Sequence, residues 1–214
     1  MCVHMCKWIL VLMGVILSLQ IQAQTGFKPV ADLTPLKQQF AKAAQQTQSI
    51  QCDFVQEKNL SMLSDKIVSK GKFWFKKDSK VRMEYLQPSY YLLVINGKDI
   101  RIKDAKKENK VSGKSNKLFE QINKITVDCV RGTVLDNSDF TTKASENQQY
   151  YRLELEPVNK VMKEYFKTIV LLVDKQDYSV SKITMAELSG DDTTISFLHK
   201  QLNSNIPDAV FSAK

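Results

Sequence analysis

Two periods alternate along this chain, and their order predicts its architecture. Leu33, Leu36, Phe40, Ala43, Ala44 and Thr47 fall on one stripe at helical spacing, while Lys37, Gln38, Lys42 and Gln45 lie elsewhere around it. Thr34 suits an N-cap and Pro35 the first helical position. One amphipathic helix of about 13–15 residues is therefore expected here. From residue 50 the period becomes two: Ile50, Cys52 and Phe54 alternate with Gln51, Asp53 and Val55. Gly71, Phe73 and Phe75 then share a face opposite Lys70, Lys72 and Lys76, and Val81, Met83 and Tyr85 alternate with Lys80, Arg82 and Glu84. Gln87-Pro88-Ser89 interrupts the chain, Tyr90 to Ile95 is continuously apolar, and Asn96-Gly97 is a two-residue hairpin signal leading into Ile100 and Ile102. Short strands joined by tight turns predict an antiparallel meander.

The middle of the chain breaks this rhythm. Residues 104–117 are polar and lysine-rich and read as a loop. Leu118, Phe119, Ile122 and Ile125 return to helical spacing, in a stretch that reaches towards Val130 before Gly132. Strands then resume with Tyr151, Leu153 and Leu155, with Thr168 to Val173, with Ser179 to Leu188 and with Thr193 to Leu198. Helix, strands, helices, strands describe a single α+β domain dominated by one antiparallel sheet. A long antiparallel sheet buries one face or curls. A curved sheet with helices over its mouth would leave an apolar concavity suited to a hydrophobic ligand. The same side chains would also fill an ordinary core.

The first residues add a location. Met1–Lys7 carries Lys7, and the apolar run Trp8–Leu19 spans about a dozen residues, short for a bilayer span and right for a signal-peptide core. Ala23 is a plausible cleavage position, with Ile21 rather than a small residue at −3. Residues 1–23 are therefore predicted to be a signal peptide, and residues 24–214 the exported domain. Processing would remove Cys2, Cys6 and His4 and leave Cys52, Cys129 and His199. Buried free thiols are the plainer expectation for the two cysteines, and a Cys52–Cys129 disulfide is the alternative that export permits.

Composition excludes more than it selects. With 43% hydrophobic and 25% charged residues over 214 positions, the chain can build a core and is not of the disordered class. Its formal net charge is +8, but the lysines are spread and no nucleic-acid recognition motif accompanies them. A solvated surface, or attraction to anionic lipid head groups or an acidic partner, is expected instead. Catalytic chemistry finds little support. His199 is the one histidine of the exported domain, no Gly-x-Ser-x-Gly elbow is present, and neither Cys-x-x-Cys nor His-Glu-x-x-His occurs. Asp191-Asp192 follows Gly190 as turn chemistry, and Glu154 and Glu156 read as the solvated face of a strand. No enzyme activity, cofactor or metal is expected.

The ordered series Phe54-Val55-Gln56, Gly71-Lys-Phe-Trp-Phe-Lys-Lys77, Val81-Arg-Met-Glu-Tyr-Leu-Gln-Pro88 and Leu92-Leu-Val-Ile-Asn-Gly-Lys98 resembles the front half of the outer-membrane lipoprotein carrier family, LolA. Leu118-Phe119 resembles the start of the family's middle helix, and Thr193 to Phe211, with Phe197, Asn203 and Ile206, its closing strands. The resemblance implies an unclosed antiparallel β-barrel with a helical lid over an apolar cavity. It further implies a periplasmic monomer that receives lipidated proteins from an inner-membrane ABC exporter, shelters their acyl chains and delivers them to an outer-membrane acceptor. On this reading the cavity wall is Phe54, Phe73, Phe75, Val81, Met83, Tyr85, Leu93 and Ile95, and the lid is Leu36, Phe40, Leu118, Phe119 and Ile122. Where the family commonly carries an Arg-Pro pair that helps hold the lid, this chain has Lys77-Asp78, so Lys77 becomes the candidate latch, with its charge but without a planar fork of donors. Two other readings keep an open barrel: an envelope-stress sensor that binds a membrane-anchored regulator, and a generic lipid binder. A secreted hydrolase would have to use His199.

Overall fold

A computed structural model describes residues 26–62, 65–77, 79–104, 108–109 and 117–212. The predicted signal segment lies outside the described residues, as does Asp78. The elements run β1 (Lys28–Pro29), α1 (Thr34–Gln46), β2 (Ser49–Asn59), β3 (Lys66–Lys76), β4 (Lys80–Gln87), β5 (Tyr91–Asn96), β6 (Asp99–Asp104), β7 (Glu108–Asn109), α2 (Lys117–Arg131), β8 (Phe140–Glu146), β9 (Tyr150–Pro157), α3 (Lys160–Lys163), β10 (Phe166–Asp174), β11 (Val180–Glu187) and β12 (Asp192–Leu202). Short 3₁₀ turns follow α2 at Val134–Asp136 and close the chain at Asp208–Phe211.

The described strands form one antiparallel sheet in the order β1-β8-β9-β10-β11-β12-β2-β3-β4-β5-β6-β7. Strands adjacent in the chain pair within each half, and the pairing of β12 with β2 joins the two halves, with Phe197 opposite Phe54. Among the described residues no pairing joins the edge strands β1 and β7, so this is an open, curved α+β sheet and not a closed barrel. The long β2–β3 hairpin runs in register from Ser49 opposite Lys76 to Asn59 opposite Lys66, which puts Cys52 beside Phe73 and Phe54 beside Gly71. That glycine is a seat. A Cβ at residue 71 would lie 2.6 Å from the Phe54 ring and 2.1 Å from the Glu84 carbonyl oxygen, so only glycine lets the ring lie across the strand.

Period-two alternation sorts the side chains as expected. Leu153, Leu155, Ile169, Leu171, Val173 and Ile195 are fully buried on the inner face, while Lys143–Glu156 and Arg152–Glu154 pair on the outer one. Each such apolar side chain contributes about 1.5–3 kcal/mol on leaving water. Strand β5 is apolar on both faces for a structural reason. Leu93 joins the inner core, whereas Leu92 and Val94 pack outside against Ile206 and Phe211. The segment after β12 is thus a strap on the outer face and not a further strand. It is held by Lys76 and Lys80 on Asp208 and by Arg82 donating to the Val210 carbonyl.

Some local expectations change. Leu33, not Thr34, occupies the N-cap position of α1, and the Asp32 carboxylate accepts the Thr34 N–H at 2.8 Å, which holds the Asp32 pKa below its ordinary value. Strand β8 went unpredicted because Phe140 is its one large apolar residue. The two-residue β1 and the single-turn α3 are too short to carry a period.

Candidate functional site: an apolar cleft beneath two helices

Helix α1 lays Leu36 and Phe40 on the inner face of the sheet, both almost fully buried. Helix α2 lays Ile125, Thr126 and Cys129 beside them. The two helices meet where Gly132 ends α2. With φ at +73°, this residue lies so close to α1 that a Cβ would fall 2.6 Å from the Ala44 Cβ. Glycine is required there both for the left-handed conformation and for the close approach.

Between the helices and the sheet lies a cleft. From α1 it is lined by Phe40, Ala43, Ala44 and Thr47, and from α2 by Thr126, Cys129 and Val130. The sheet contributes Ile50, Cys52 and Phe73 from β2 and β3, and Val180, Ile183, Phe197 and Lys200 from β11 and β12. The β10–β11 turn contributes Asp177, Tyr178 and Ser179. The cleft encloses about 570 Å³ including the part open to solvent, but only about 40 Å³ of it accepts the centre of a water molecule. That is room for about three waters, at the 10–15 Å³ each requires. The helices are therefore closed down on the sheet.

Of the residues expected in the wall, Phe73 lines this cleft; of those expected in the lid, Phe40 does. Phe54, Phe75, Val81, Met83 and Leu93 are buried in the packed core beside it, with Tyr85 and Ile95 partly buried against that core. Tyr85 meets Phe54 edge-on at 4.8 Å between ring centroids and donates its hydroxyl to Gln56 at 2.9 Å; burial pushes its phenol pKa up. The side chains of Leu118, Phe119 and Ile122 lie outside those described. Lys77 sits at the end of α1, its Nζ donating to the Gln45 carbonyl at 3.1 Å and its backbone N–H to the Gln48 carbonyl.

The lining residues from the second half of the chain, Ile183, Phe197 and Lys200, are not among those the sequence places in the cavity wall. Phe197 shares the inward parity of Ile195 and was legible in principle. Lys200 has the opposite parity and a charge, so nothing in the pattern marks it. Cys52 and Cys129 are both buried free thiols lining the same cleft. Burial pushes the Cys52 thiol up to about 12, opposed by the nearby Lys200 charge, and pushes the Cys129 thiol up as well. Such thiols are poor nucleophiles. His199 is not in the cleft: its side chain is 79% exposed and contacts Asp53 at 3.0 Å. Among the described residues, no cluster of three or more His, Cys, Asp or Glu is placed to hold a metal.

The family model described as outer membrane lipoprotein carrier protein LolA matches residues 45–214. No curated protein matches the sequence. Among solved structures, the Pseudomonas aeruginosa MucA/MucB complex aligns with a TM-score of 0.53 at 14% identity, over 86% of this chain and 62% of that one, so this chain spans less than two thirds of that protein. An uncharacterized conserved protein from Thermus thermophilus aligns with a TM-score of 0.52 at 10% identity, over 84% of this chain and 93% of that one. A LolA superfamily protein from Nitrosomonas europaea aligns with a TM-score of 0.43 at 10% identity, over 82% and 97% of the two chains. At these identities the likeness is one of fold.

Proposed function

The chain belongs to the outer membrane lipoprotein carrier protein LolA family, and from that premise we propose that it is a periplasmic carrier of lipidated proteins. It receives a lipoprotein from an inner-membrane ABC exporter, holds the acyl chains beneath α1 and α2 as a monomer, and releases them to an outer-membrane acceptor. Residues 1–23 act as the export signal. The reading rests chiefly on the cleft itself, an apolar space bounded by the sheet on one side and by two helices on the other.

The energetics set how such a carrier must work. Each CH₂ of an acyl chain gains about 0.8 kcal/mol on leaving water. The closed cleft has too little free interior for even one such chain, so the helices have to move before the chain can be buried. Their contacts set what that movement must break. Among the described residues, α1 is held by the buried Leu36 and Phe40 and by the tight Gly132–Ala44 junction, with two polar contacts added: Lys77 reaches the carbonyl of Gln45, and Lys37 pairs with Asp136 at 3.1 Å on an exposed surface. Exposed pairs of this kind are worth about 0–1 kcal/mol. The packed aromatic wall gives the sheet stiffness while the lid opens. Binding and release then require no covalent chemistry, only an acceptor whose apolar site holds the chains better.

Native mass spectrometry after incubation with spheroplasts that retain their lipoproteins tests this. The expected result is a one-to-one complex with a lipidated protein in the soluble fraction. A bare chain, with the exporter known to be active, would overturn carriage and favour a protein-partner role of the kind the MucA/MucB complex exemplifies.

A further inference from the structure

Strand β12 contains a device that the cleft's apolar character does not require. Thr193, Ile195 and Phe197 point inward, so alternation would place His199 inward and Lys200 outward. The reverse is found. Between the pairs Leu198–Asp53 and Gln201–Gln51 the register slips, so that His199 and Lys200 together face the single residue Cys52. This is a β-bulge, and His199 carries it with φ at +54°, a left-handed conformation that non-glycine residues seldom adopt. Beyond it the parity is inverted: Leu202 pairs with Ile50 and packs on the core. The bulge thus turns the His199 ring out to solvent and swings Lys200 into the cleft, where its side chain is 16% exposed.

The turn across from it is also strained. Tyr178, at φ +56°, lies between Asp177 and Ser179, and all three line the cleft. One oxygen of the Asp177 carboxylate, Oδ1, is engaged within the turn, accepting from the Ser179 N–H at 2.8 Å and from its hydroxyl at 2.6 Å, while Oδ2 faces Lys200. It lies 3.8 Å from Lys200, an ion-pair distance without a hydrogen bond, while the ammonium donates to the Ser179 hydroxyl. One of three ammonium donors is used in this way. A cation held at the edge of an apolar cleft, with donors to spare and its nearest carboxylate oxygen beyond hydrogen-bonding distance, is a receptor for an anion attached to a hydrocarbon.

We propose that the Lys200–Ser179 edge is the head-group site of the cleft, and that the ligand class the cleft favours is an acyl chain ending in an anionic group, a carboxylate or a phosphate, seated with its charged end between the β12 bulge and the β10–β11 turn. This rests on the acyl-cleft part of the carrier reading and goes beyond lipoprotein carriage, because the ester- or amide-linked chains of a lipidated protein end in no such charge. It also fixes a direction: the hydrocarbon runs inward from Lys200 towards Ile183, Phe73 and Phe40, under the helices.

The test compares a fluorescent polyene fatty acid with its methyl ester, both below their aggregation concentrations at pH 8, in wild type and in Lys200→Met and Lys200→Arg variants shown by circular dichroism to be folded. Wild type should bind the acid at least about tenfold tighter than the ester. Lys200→Met should lower the acid's affinity relative to the ester's by at least about tenfold, removing that preference, and Lys200→Arg should keep it. Equal binding of acid and ester by wild type, or a preference that survives Lys200→Met, overturns the head-group site while the acyl cleft stands. Failure of both probes to bind overturns the acyl cleft together with this site. Replacing the fatty acid with a lysophospholipid and its uncharged analogue separates a phosphate head from a carboxylate.

Discussion

The two halves of the sheet follow the same alternating rule and end differently. In β2–β5 the inward side chains interlock. Phe54 lies over Gly71, Tyr85 stands edge-on to Phe54 at 4.8 Å, Tyr91 follows at 5.7 Å, and none of the described cleft-lining residues comes from β4 or β5. In β10–β12 the pattern is interrupted at the Tyr178 turn and at the His199 bulge, among other places, and the cleft lies beside these two. Regular pairing fills space, because in-register neighbours on one face are spaced to touch. The slip between Lys70 and Gly71 is filled by the Phe54 ring, whereas free volume and polar groups collect beside the His199 bulge and the Tyr178 turn.

The largest effect should come from cutting into the filled half. Phe54→Ala is expected to lower unfolding stability by about 3–5 kcal/mol in a urea titration, since the ring is fully buried and its seat cannot close around alanine. A cost below about 1 kcal/mol would mean that this half is as loose as the other. Next comes the helix junction. Gly132→Ala should cost about 1–3 kcal/mol through its positive φ. Pairing it with Ala44→Gly should recover only the part due to the Cβ clash. In the cleft stability and binding should both respond. Ala43→Phe, a small-to-large change at a partly open position, should cost about 1–3 kcal/mol. It should also weaken acyl binding by a factor of about ten or more, or 1.4 kcal/mol, by isothermal titration. A large stability loss with unchanged binding would show that the cleft is filled core.

The smallest effect belongs to the outer strap. Lys76 and Lys80 hold the Asp208 carboxyl down to about 2. A depressed carboxylate pKa stabilises the fold above its unfolded value and loses that contribution as pH falls through the folded one. Strap stability should therefore be constant near neutrality and fall between about pH 4 and 2. Asp208→Asn should be slightly less stable than wild type at pH 6 and should converge on it as pH falls through about 2 towards about 1. A difference that persists in acid would assign the strap to packing by Ile206 and Phe211 alone.

Much of this architecture was readable in the chain, because a period is a strong signal wherever large apolar residues repeat. Phe73 and Phe75 marked β3, Met83 and Tyr85 marked β4, and Leu36 and Phe40 marked the buried stripe of α1. Leu92, Leu93 and Val94 gave no parity, since which of them faced inward depended on a strap more than a hundred residues away. The cleft was harder still. Inward-facing residues could be named, but whether they touch one another or line a space depends on the distance between elements, which no local pattern encodes. Lys200 was invisible because a one-residue bulge reverses every parity beyond it.

On the proposed function, acyl chains lie beneath α1 and α2 on the inner face of the sheet. Site-specific photocrosslinking in spheroplasts addresses it directly, with a photoreactive residue placed either at Phe197 in the cleft or at the exposed, outward-facing Lys72. A crosslink to lipidated cargo is expected from position 197, none from position 72, and none from either when the cargo cannot be acylated. Crosslinks from position 72 alone, or from position 197 to unacylated cargo at the same yield, would contradict it.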